Sequence, residues 1–366
     1  MKKFVCLLML VCVTATALVC AGCGNMPGSA ANNASGDEAT GGEINVYNWG
    51  EYISVGEDDT MDVIAEFESR TGINVNYTTY DTNEQLYNQL ANSNSSYDVI
   101  IPSDYMIAKL IEEGYLAELN FDNIPNYKNI MDDYKNLSFD PDNKFSVPYS
   151  WGVTALVYNK TLFNGEVKGW DALWSEENSG NILMFDNSRD AMAIAMQHAG
   201  LDVSNMTTES IDAAAKELKN QKPLLKAYVM DKVFNEMEGG QAAIAPYYAG
   251  DIATMMDNNE DLDYCLPQEG GNHFVDSMCI PKNSKNKALA EKFINFMLEP
   301  DVALANVEYI CYGTPNQGAL DLMDDEMKNN ELINPPKEYL DKCYSFGNIS
   351  QDLYQYLEEK FVKAKV

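Results

Sequence analysis

The chain has 366 residues, of which 46% are hydrophobic and 11% aromatic, enough apolar side chains to build folded domains and to exclude a wholly disordered chain. The 25 Lys+Arg residues against 56 Asp+Glu residues give a formal net charge of −31. Nucleic acid is therefore excluded as an expected partner, because the phosphate backbone would be repelled, whereas small cations would be attracted.

The first 22 residues have the pattern of a signal peptide. Lys2 and Lys3 precede an apolar run over 4–19, which is shorter than the roughly 20 residues that a membrane-spanning helix needs. The sequence Ala-Gly-Cys that ends at Cys23 resembles the lipobox of bacterial lipoproteins, although Cys20 stands where leucine is usual. The resemblance implies that Cys23 is lipidated and becomes the first residue of the mature chain.

Residues 23–42 are predicted to be a flexible tether, because 24–42 contain no aromatic residue and no Leu, Ile or Val. A lipidated Cys23 followed by a tether predicts an extracytoplasmic body, anchored to the outer face of the cytoplasmic membrane or held in the periplasm.

The body begins with alternating strands and helices. The pattern predicts strands over 43–48, 73–80 and 97–102 and helices over 60–70, 83–91 and 105–113, with Thr71-Gly72 ending the first helix. This order favours an α/β fold with a mainly parallel sheet flanked by helices, whose ligands bind beyond the carboxyl ends of the strands. The segments 49–52 and 103–105 follow two of those ends and should line one crevice.

The segment 147–152, where Pro148 and Gly152 enclose aromatic residues, is interpreted as a crossing between two lobes. A further apolar run follows over 153–158. The second half repeats the alternation, with strands predicted over 181–185, 242–246 and 274–280 and helices over 189–199, 208–220, 251–257 and 286–297. Pro300 is expected to close the last of these helices.

The chain has few of the residues that metal sites and nucleophilic catalysis require. Cys265, Cys279, Cys311 and Cys343 do not have the spacing of a metal site, and their disulfide state stays open. His198 and His273 are the two histidines, too few for most zinc or Ser-His arrangements. The sequence therefore predicts no catalytic residues, no metal and no cofactor.

Four stretches taken together resemble the spermidine/putrescine-binding proteins of bacterial ABC transporters. They are VYNWGEY at 46–52, IPSDY at 101–105, EGGNHFVD at 269–276 and YGTPN at 312–316, in an order that fits about 43–365. The resemblance implies a binding protein and not an enzyme, a monomer that captures a polyamine and delivers it to the permease of an ABC importer. It also implies a two-lobed periplasmic-binding-protein fold of class II type, with lobe one at 44–151 plus 275–322, lobe two at 152–274 plus 323–366, and the ligand in the cleft.

The chemistry of such a ligand explains the residue types that the family uses. A polyamine is a string of ammonium groups joined by methylenes, so that its site needs carboxylates for the charges and aromatic faces for the cations and stems. The resemblance implies that Asp276 is the central ammonium partner and Ser103 a polar contact. It implies aromatic walls at Trp49, Tyr52, Tyr105 and Tyr312.

Other positions depart from the family pattern. Two acidic positions map to Asn187 and Asp190, with Asp186 one step away, and a further aromatic maps to either Tyr247 or Tyr248. Phe274 stands where Trp is common. Asp104 is acidic at a usually uncharged position, where it either contacts the ligand or caps a helix.

Two other functions remain open at this point. Paired tyrosines also suit ferric iron in some solute-binding proteins, although no clear set of additional ligands is visible. An extracellular hydrolase with a pair of carboxylates is the enzyme alternative, because Asp and Glu are abundant.

Overall fold

The computed structural model describes residues 41–56, 60–92 and 96–366, which belong to one compact unit. The predicted signal peptide, the lipidation site at Cys23 and nearly all of the tether lie outside the described residues. Gly42, the last residue of the predicted tether, is the first residue of the first strand. No helix in the described ranges combines the length and the apolar character needed to cross a bilayer.

Nine strands form the sheet framework of the described residues. They are β1 (Gly42–Trp49), β2 (Ile73–Tyr80), β3 (Val99–Ile100), β4 (Ser146–Asn159), β5 (Ile182–Phe185), β6 (Leu225–Val229), β7 (Ile244–Tyr248), β8 (Leu262–Cys265) and β9 (His273–Cys279).

Thirteen α-helices are present in the described part of the chain. They are α1 (Val63–Thr71), α2 (Asn83–Asn92), α3 (Asp104–Glu112), α4 (Ser188–His198), α5 (Thr208–Gln221), α6 (Lys232–Glu238), α7 (Ala249–Asn258), α8 (Lys287–Met297), α9 (Pro300–Ile310), α10 (Gln317–Leu322), α11 (Asp325–Lys328), α12 (Lys337–Leu340) and α13 (Gln351–Lys365).

The strands follow the order β2-β1-β3-β9-β4-β7-β5-β6, and β8 pairs with β4. The pairs β1·β2, β1·β3, β5·β6 and β5·β7 are parallel. The pairs β3·β9 and β4·β9 are antiparallel. β4 belongs to both halves, because residues 146–153 pair with β9 and residues 154–158 pair with β7. The predicted α/β fold is confirmed, and the segment interpreted as a crossing lies in β4.

Two large clusters of buried apolar side chains form most of the core. In the β1–β3 half, Phe67 of α1 packs edge-on against Phe293 of α8, with ring centroids 5.1 Å apart. A larger cluster contains Phe185, Trp170 and residues of α4 and α5, and it extends into the β1–β3 half through residues of α2, β3 and α3. Burial of these side chains stabilises the two halves that position the site.

Local signals explain why helices begin and end where they do. The side chain of Asp62 accepts a hydrogen bond from the backbone N–H of Ala65 at the start of α1, and Gly72 ends this helix with a φ of 69°. Pro300 follows α8 as expected, but it also begins a further helix. It is the first residue of α9, a position where no backbone N–H is needed for a hydrogen bond within the helix. The four cysteines at 265, 279, 311 and 343 are free thiols.

Candidate ligand-binding site

One cavity, with about 780 Å³ of empty space that includes its opening to solvent, lies where the carboxyl ends of β1–β3 meet the carboxyl ends of β5–β7. All the residues predicted to bind ligand line it. They are Trp49, Tyr52, Ser103, Asp104, Tyr105, Asn187, Asp190, Tyr247, Tyr248, Phe274, Asp276 and Tyr312. The structure thus brings together residues that are up to 263 positions apart in the sequence (312 − 49).

Trp49 is the last residue of β1, and its indole N–H donates a hydrogen bond of 2.9 Å to the carbonyl of Ile101. Tyr80, the last residue of β2, donates to the same carbonyl at 2.7 Å, and the two rings lie 4.5 Å apart. The indole N–H and the phenol hydroxyl are thus both paired with the backbone, so that neither is left as an unpaired donor. These bonds hold the two ring faces in position beside the cavity.

Asp276 lies on β9 opposite Ser150 of β4 and is 3% exposed. The hydroxyl of Tyr52 donates to its Oδ2 at 2.9 Å, whereas Oδ1 has no hydrogen-bond partner within the described residues. Burial raises the pKa of Asp276 to about 6, against the lowering effect of the nearby hydroxyls of Ser103 and Tyr52. A buried carboxylate with an unused oxygen is suited to an ammonium group.

Aromatic rings extend from Asp276 along one wall of the cavity. Tyr52 and Tyr312 meet edge to face at 5.4 Å, and Phe274 lies 6.1 Å from Tyr312 and 5.6 Å from Tyr248. Phe274 therefore fills the position where the resemblance leads one to expect Trp, with a ring but no indole N–H.

Two glycines allow Tyr312 to approach the backbone. A Cβ added at Gly152 of β4 would lie 2.7 Å from the ring of Tyr312, and a Cβ added at Gly250 of α7 would lie 2.3 Å from it. The second Cβ would also lie 2.8 Å from the carbonyl of Ile310. Any side chain at these positions would displace the ring from the cavity wall.

Gly250→Ala is accordingly expected to lower the free energy of unfolding by about 1–3 kcal/mol and to weaken ligand binding, because Tyr312 must move. Thermal denaturation and calorimetric titration measure the two effects. Gly347→Ala is the matched control, since no atom lies within 4 Å of a Cβ built there. If the two variants had equal stability and equal ligand affinity, the position of Tyr312 would not depend on a glycine at 250.

The start of α4 contributes Asn187 and Asp190. Asn187 caps the helix, with its Oδ1 accepting from the N–H of Arg189 at 3.0 Å. The hydroxyl of Tyr248 donates to Oδ2 of Asp190 at 2.9 Å, and Oδ1 of Asp190 has no hydrogen-bond partner among the described residues. Asp186 instead pairs with Lys365 of α13 and does not line the cavity.

Tyr247 and Tyr248 both line the cavity but in different surroundings. Tyr247 is 2% exposed and donates to Oδ1 of Asp231 at 3.1 Å, whereas Tyr248 connects Asp190 to the ring of Phe274. Burial raises the pKa of both phenols above their ordinary value.

At the start of α3, Ser103 occupies the N-cap position without a side-chain capping bond, and Asp104 is the first helical residue. Oδ1 of Asp104 accepts from the N–H of Tyr105 at 2.7 Å. The hydroxyl of Tyr105 donates to Oε1 of Glu84 at 3.0 Å. Asp104 is therefore a helix-terminus residue that also lines the cavity.

The lining is strongly acidic. Six aspartates and one arginine line the cavity in the described part of the chain, which leaves an excess of five negative charges when all are ionised. They are Asp81, Asp104, Asp190, Asp231, Asp251, Asp276 and Arg189. Burial is the largest cause that raises the pKa of Asp104, Asp190 and Asp251 to about 7. A cation in this cavity would stabilise the ionised carboxylates.

Sequence reasoning missed Asp231 and Asp251. Asp231 follows β6, a strand that was not predicted, and Asp251 lies in the first turn of α7, where an acidic residue is ordinary. The available signal was position, because both residues follow the carboxyl ends of strands, β6 and β7, that point to the cavity. Within the described ranges, no group of three or more His, Cys, Asp or Glu residues is arranged to hold a metal ion.

Comparison with known proteins gives a consistent family. Residues 62–335 match the family model described as bacterial extracellular solute-binding protein. The spermidine/putrescine-binding periplasmic protein of Escherichia coli is 34% identical over 294 residues, covering 80% of this chain and 83% of that protein.

Two solved structures resemble the fold. A putative spermidine/putrescine ABC transporter protein from Listeria monocytogenes superposes with a TM-score of 0.83 at 35% identity, covering 88% of this chain and 99% of that chain. The spermidine/putrescine substrate-binding protein of Streptococcus pneumoniae gives 0.75 at 34% identity, covering 88% and 98%. The chain therefore belongs to the bacterial extracellular solute-binding proteins, which are extracytoplasmic receptors of two-lobed fold and not enzymes.

Proposed function

We propose that this protein captures a polyamine, spermidine or putrescine, outside the cytoplasm and delivers it to an ABC importer. The observation that carries the proposal is the cavity lining, in which six aspartates and a wall of aromatic rings surround one space. Buried carboxylates bind ammonium groups and aromatic faces cover the methylene stems, whereas a neutral or anionic solute would leave this excess negative charge unpaired. The names of the matched relatives agree with this ligand class.

In the proposed mode of binding, Asp276 pairs with an ammonium group near the middle of the cavity. Asp190, held by Tyr248, pairs with another group towards α4, and Asp251 adds a third carboxylate. The binding set is proposed to be Trp49, Tyr52, Ser103, Asp104, Tyr105, Asn187, Asp190, Tyr247, Tyr248, Phe274, Asp276 and Tyr312. Closure of the two lobes around the cation excludes water and strengthens each charge pair.

The cellular context belongs to the same proposal. The signal peptide and lipidated Cys23 would anchor a monomer to the outer face of the cytoplasmic membrane, and the tether would let the body meet the permease. The lobe bounds 44–151 plus 275–322 and 152–274 plus 323–366 remain predictions.

A ferric site is less well supported by the geometry. Iron binding needs phenolates, whereas burial raises the pKa of Tyr247 and Tyr248, and their hydroxyls donate to two different carboxylates, Asp231 and Asp190. Each hydroxyl already has an acceptor that would have to be displaced by the metal.

Isothermal titration of the tether-deleted, lipid-free protein against putrescine, spermidine and ferric citrate tests the proposal. We expect saturable binding of at least one of the two amines and none of ferric citrate. Absence of heat and of thermal stabilisation with both amines would contradict a polyamine receptor, and binding of ferric citrate alone would favour the iron alternative.

A further inference from the structure

A second cavity, with about 500 Å³ of empty space that includes its opening to solvent, adjoins the first along the seam between α3 and the segment that leads into α13. Tyr105 and Arg189 line both cavities and therefore form the wall between them. Residues from α2 and α3 line one side of the second cavity, and residues 348–354 line the other.

In this wall, Arg189 packs against two aromatic rings that meet edge to face. The guanidinium carbon of Arg189 lies 3.9 Å from the centre of the Tyr105 ring and 5.5 Å from that of Phe346. Its Nη1 donates to the carbonyl of Gly347 at 3.2 Å, whereas its buried Nε has no hydrogen-bond partner among the described residues. Arg189 is thus held mainly by a cation–π contact and by one hydrogen bond.

Arg189 also stands out by charge. It is the one cation in the described lining of an otherwise acidic cavity, and it lies one residue before Asp190. A guanidinium stacked on an aromatic ring beside carboxylates uses the same contacts that an ammonium group of a polyamine would use. It therefore occupies space and contacts into which a longer ligand would otherwise extend.

The second cavity has the chemistry to receive such an extension. Oε1 of Glu84 accepts from Tyr105 on its far side, and the rings of Tyr87 and Tyr354 form part of its lining. Lys109 lies over the Tyr87 ring at 4.4 Å and donates to Gln351 at 2.6 Å, so that it is already engaged. A carboxylate with aromatic faces repeats the combination found in the first cavity.

We propose that Arg189, stacked on Tyr105, closes the α4 end of the ligand cavity and sets the upper limit on the length of polyamine that the protein accepts. The inference rests on the polyamine function proposed above. Removal of the Arg189 side chain joins the two cavities and gives a tetraamine a place for its last aminopropyl arm.

The test is isothermal titration of putrescine, spermidine and spermine into the parent and its variants. In Arg189→Ala, the affinity for spermine should rise about tenfold relative to that for putrescine, because one further ammonium gains a carboxylate and an aromatic face. Arg189→Ser, a small polar residue suited to the first turn of a helix, should behave in the same way if the alanine variant folds poorly.

Two controls separate length from charge. Arg189→Met removes the charge but keeps a long side chain. We expect it to raise the spermine-to-putrescine affinity ratio less than Arg189→Ala does, because the lost repulsion favours the more highly charged amine while the second cavity stays closed. Arg70→Ala removes the other arginine of the chain, which is paired with Glu66 and Glu299 away from the cavity. It should leave the affinities for all three amines at the parent's values.

A double variant tests the second cavity directly. Ile349→Trp fills it and should abolish the gain of spermine affinity in the Arg189→Ala background while leaving the parent's affinities unchanged. The proposal is overturned if Arg189→Ala keeps the parent's ratio, or if the methionine variant gains spermine selectivity equally. Failure of the parent to bind any of the three amines would instead overturn the polyamine function itself.

Discussion

Replacement of Asp276 by alanine is expected to weaken polyamine binding by about 3–5 kcal/mol, the usual cost of leaving a desolvated charge without its partner. Asp276 is buried on β9, one of its oxygens is held by Tyr52, and the other has no partner among the described residues. Calorimetric titration of the variant with spermidine and putrescine measures the loss.

The matched control is Asp186→Ala. Asp186 is also an aspartate beside the α4 start, but it pairs with Lys365 and does not line the cavity. A second readout distinguishes loss of a binding group from misfolding, because Asp276→Asn should raise the thermal midpoint of the ligand-free protein by removing a carboxylate that is costly to bury. If Asp276→Ala binds as tightly as Asp186→Ala, Asp276 is not the ammonium partner.

Polyamine affinity is expected to fall by at least about 100-fold between pH 8 and pH 5, because each group with a pKa near 7 costs a factor of ten per pH unit below it. In the ligand-free protein, burial raises the pKa of Asp276 to about 6 and that of Asp104, Asp190 and Asp251 to about 7. Bound ammonium groups favour the ionised carboxylates and lower these pKa values again. Both ammonium groups of putrescine stay largely protonated over this range, since a primary alkylamine such as that of Lys has a pKa of about 10.4.

The sign of the effect follows from proton release. Binding expels protons from carboxyls that are protonated in the free protein, so that affinity rises with pH and levels off above about pH 7. Titrations at pH 6.5 in buffers of different ionisation enthalpy measure the number released, which Asp251→Asn should reduce and Asp186→Asn should not. Equal affinity at pH 5 and pH 8, or an observed heat independent of the buffer, would rule out coupled carboxyls.

For the ligand-free protein, the same four carboxyls predict the opposite trend in stability. Their folded-state pKa values lie above the unfolded value of about 3.9, so that the stabilisation they provide is complete below that value and is lost as pH rises through 6–7. The thermal shift caused by ligand should therefore be larger at pH 8 than at pH 5.5.

The regular part of the fold could be predicted because its patterns are strong. β1, α1 and β2 follow one another with clear periodicity and a glycine end signal, and the expected bounds differ from the observed ones by at most three residues. The sequence does not predict β6, because the segment LKAYV lacks a regular alternation of buried and exposed residues. β6 is an edge strand of the sheet, next to β5. α9 was missed because Pro300 was interpreted as a terminator although proline is well suited to the first position of a helix.

The positions of strand ends and the family resemblance together point to more residues of the candidate site than the predicted strands and helices do alone. Trp49 and Ser103 follow strand ends, and the resemblance supplied Asp276 and Tyr312, which no local pattern connects. The choice between Asp186 and Asn187 depended on which way a side chain points after β5, and it was decided by Lys365, 179 residues away on α13. The wall formed by Tyr105 and Arg189 depends on the packing of two distant helices and left no trace in the local sequence.

The pairing of β4 limits how the two halves of the molecule can move. The strand passes from β9 to β7 between Val153 and Thr154, so that one continuous backbone is hydrogen-bonded into both halves on either side of a single peptide. Sliding of one half along this strand would have to break at least one of the two ladders, whereas torsion about the peptide between them would break neither. A spectroscopic label on each half should therefore report a rotation whose axis runs close to β4, with little translation along it.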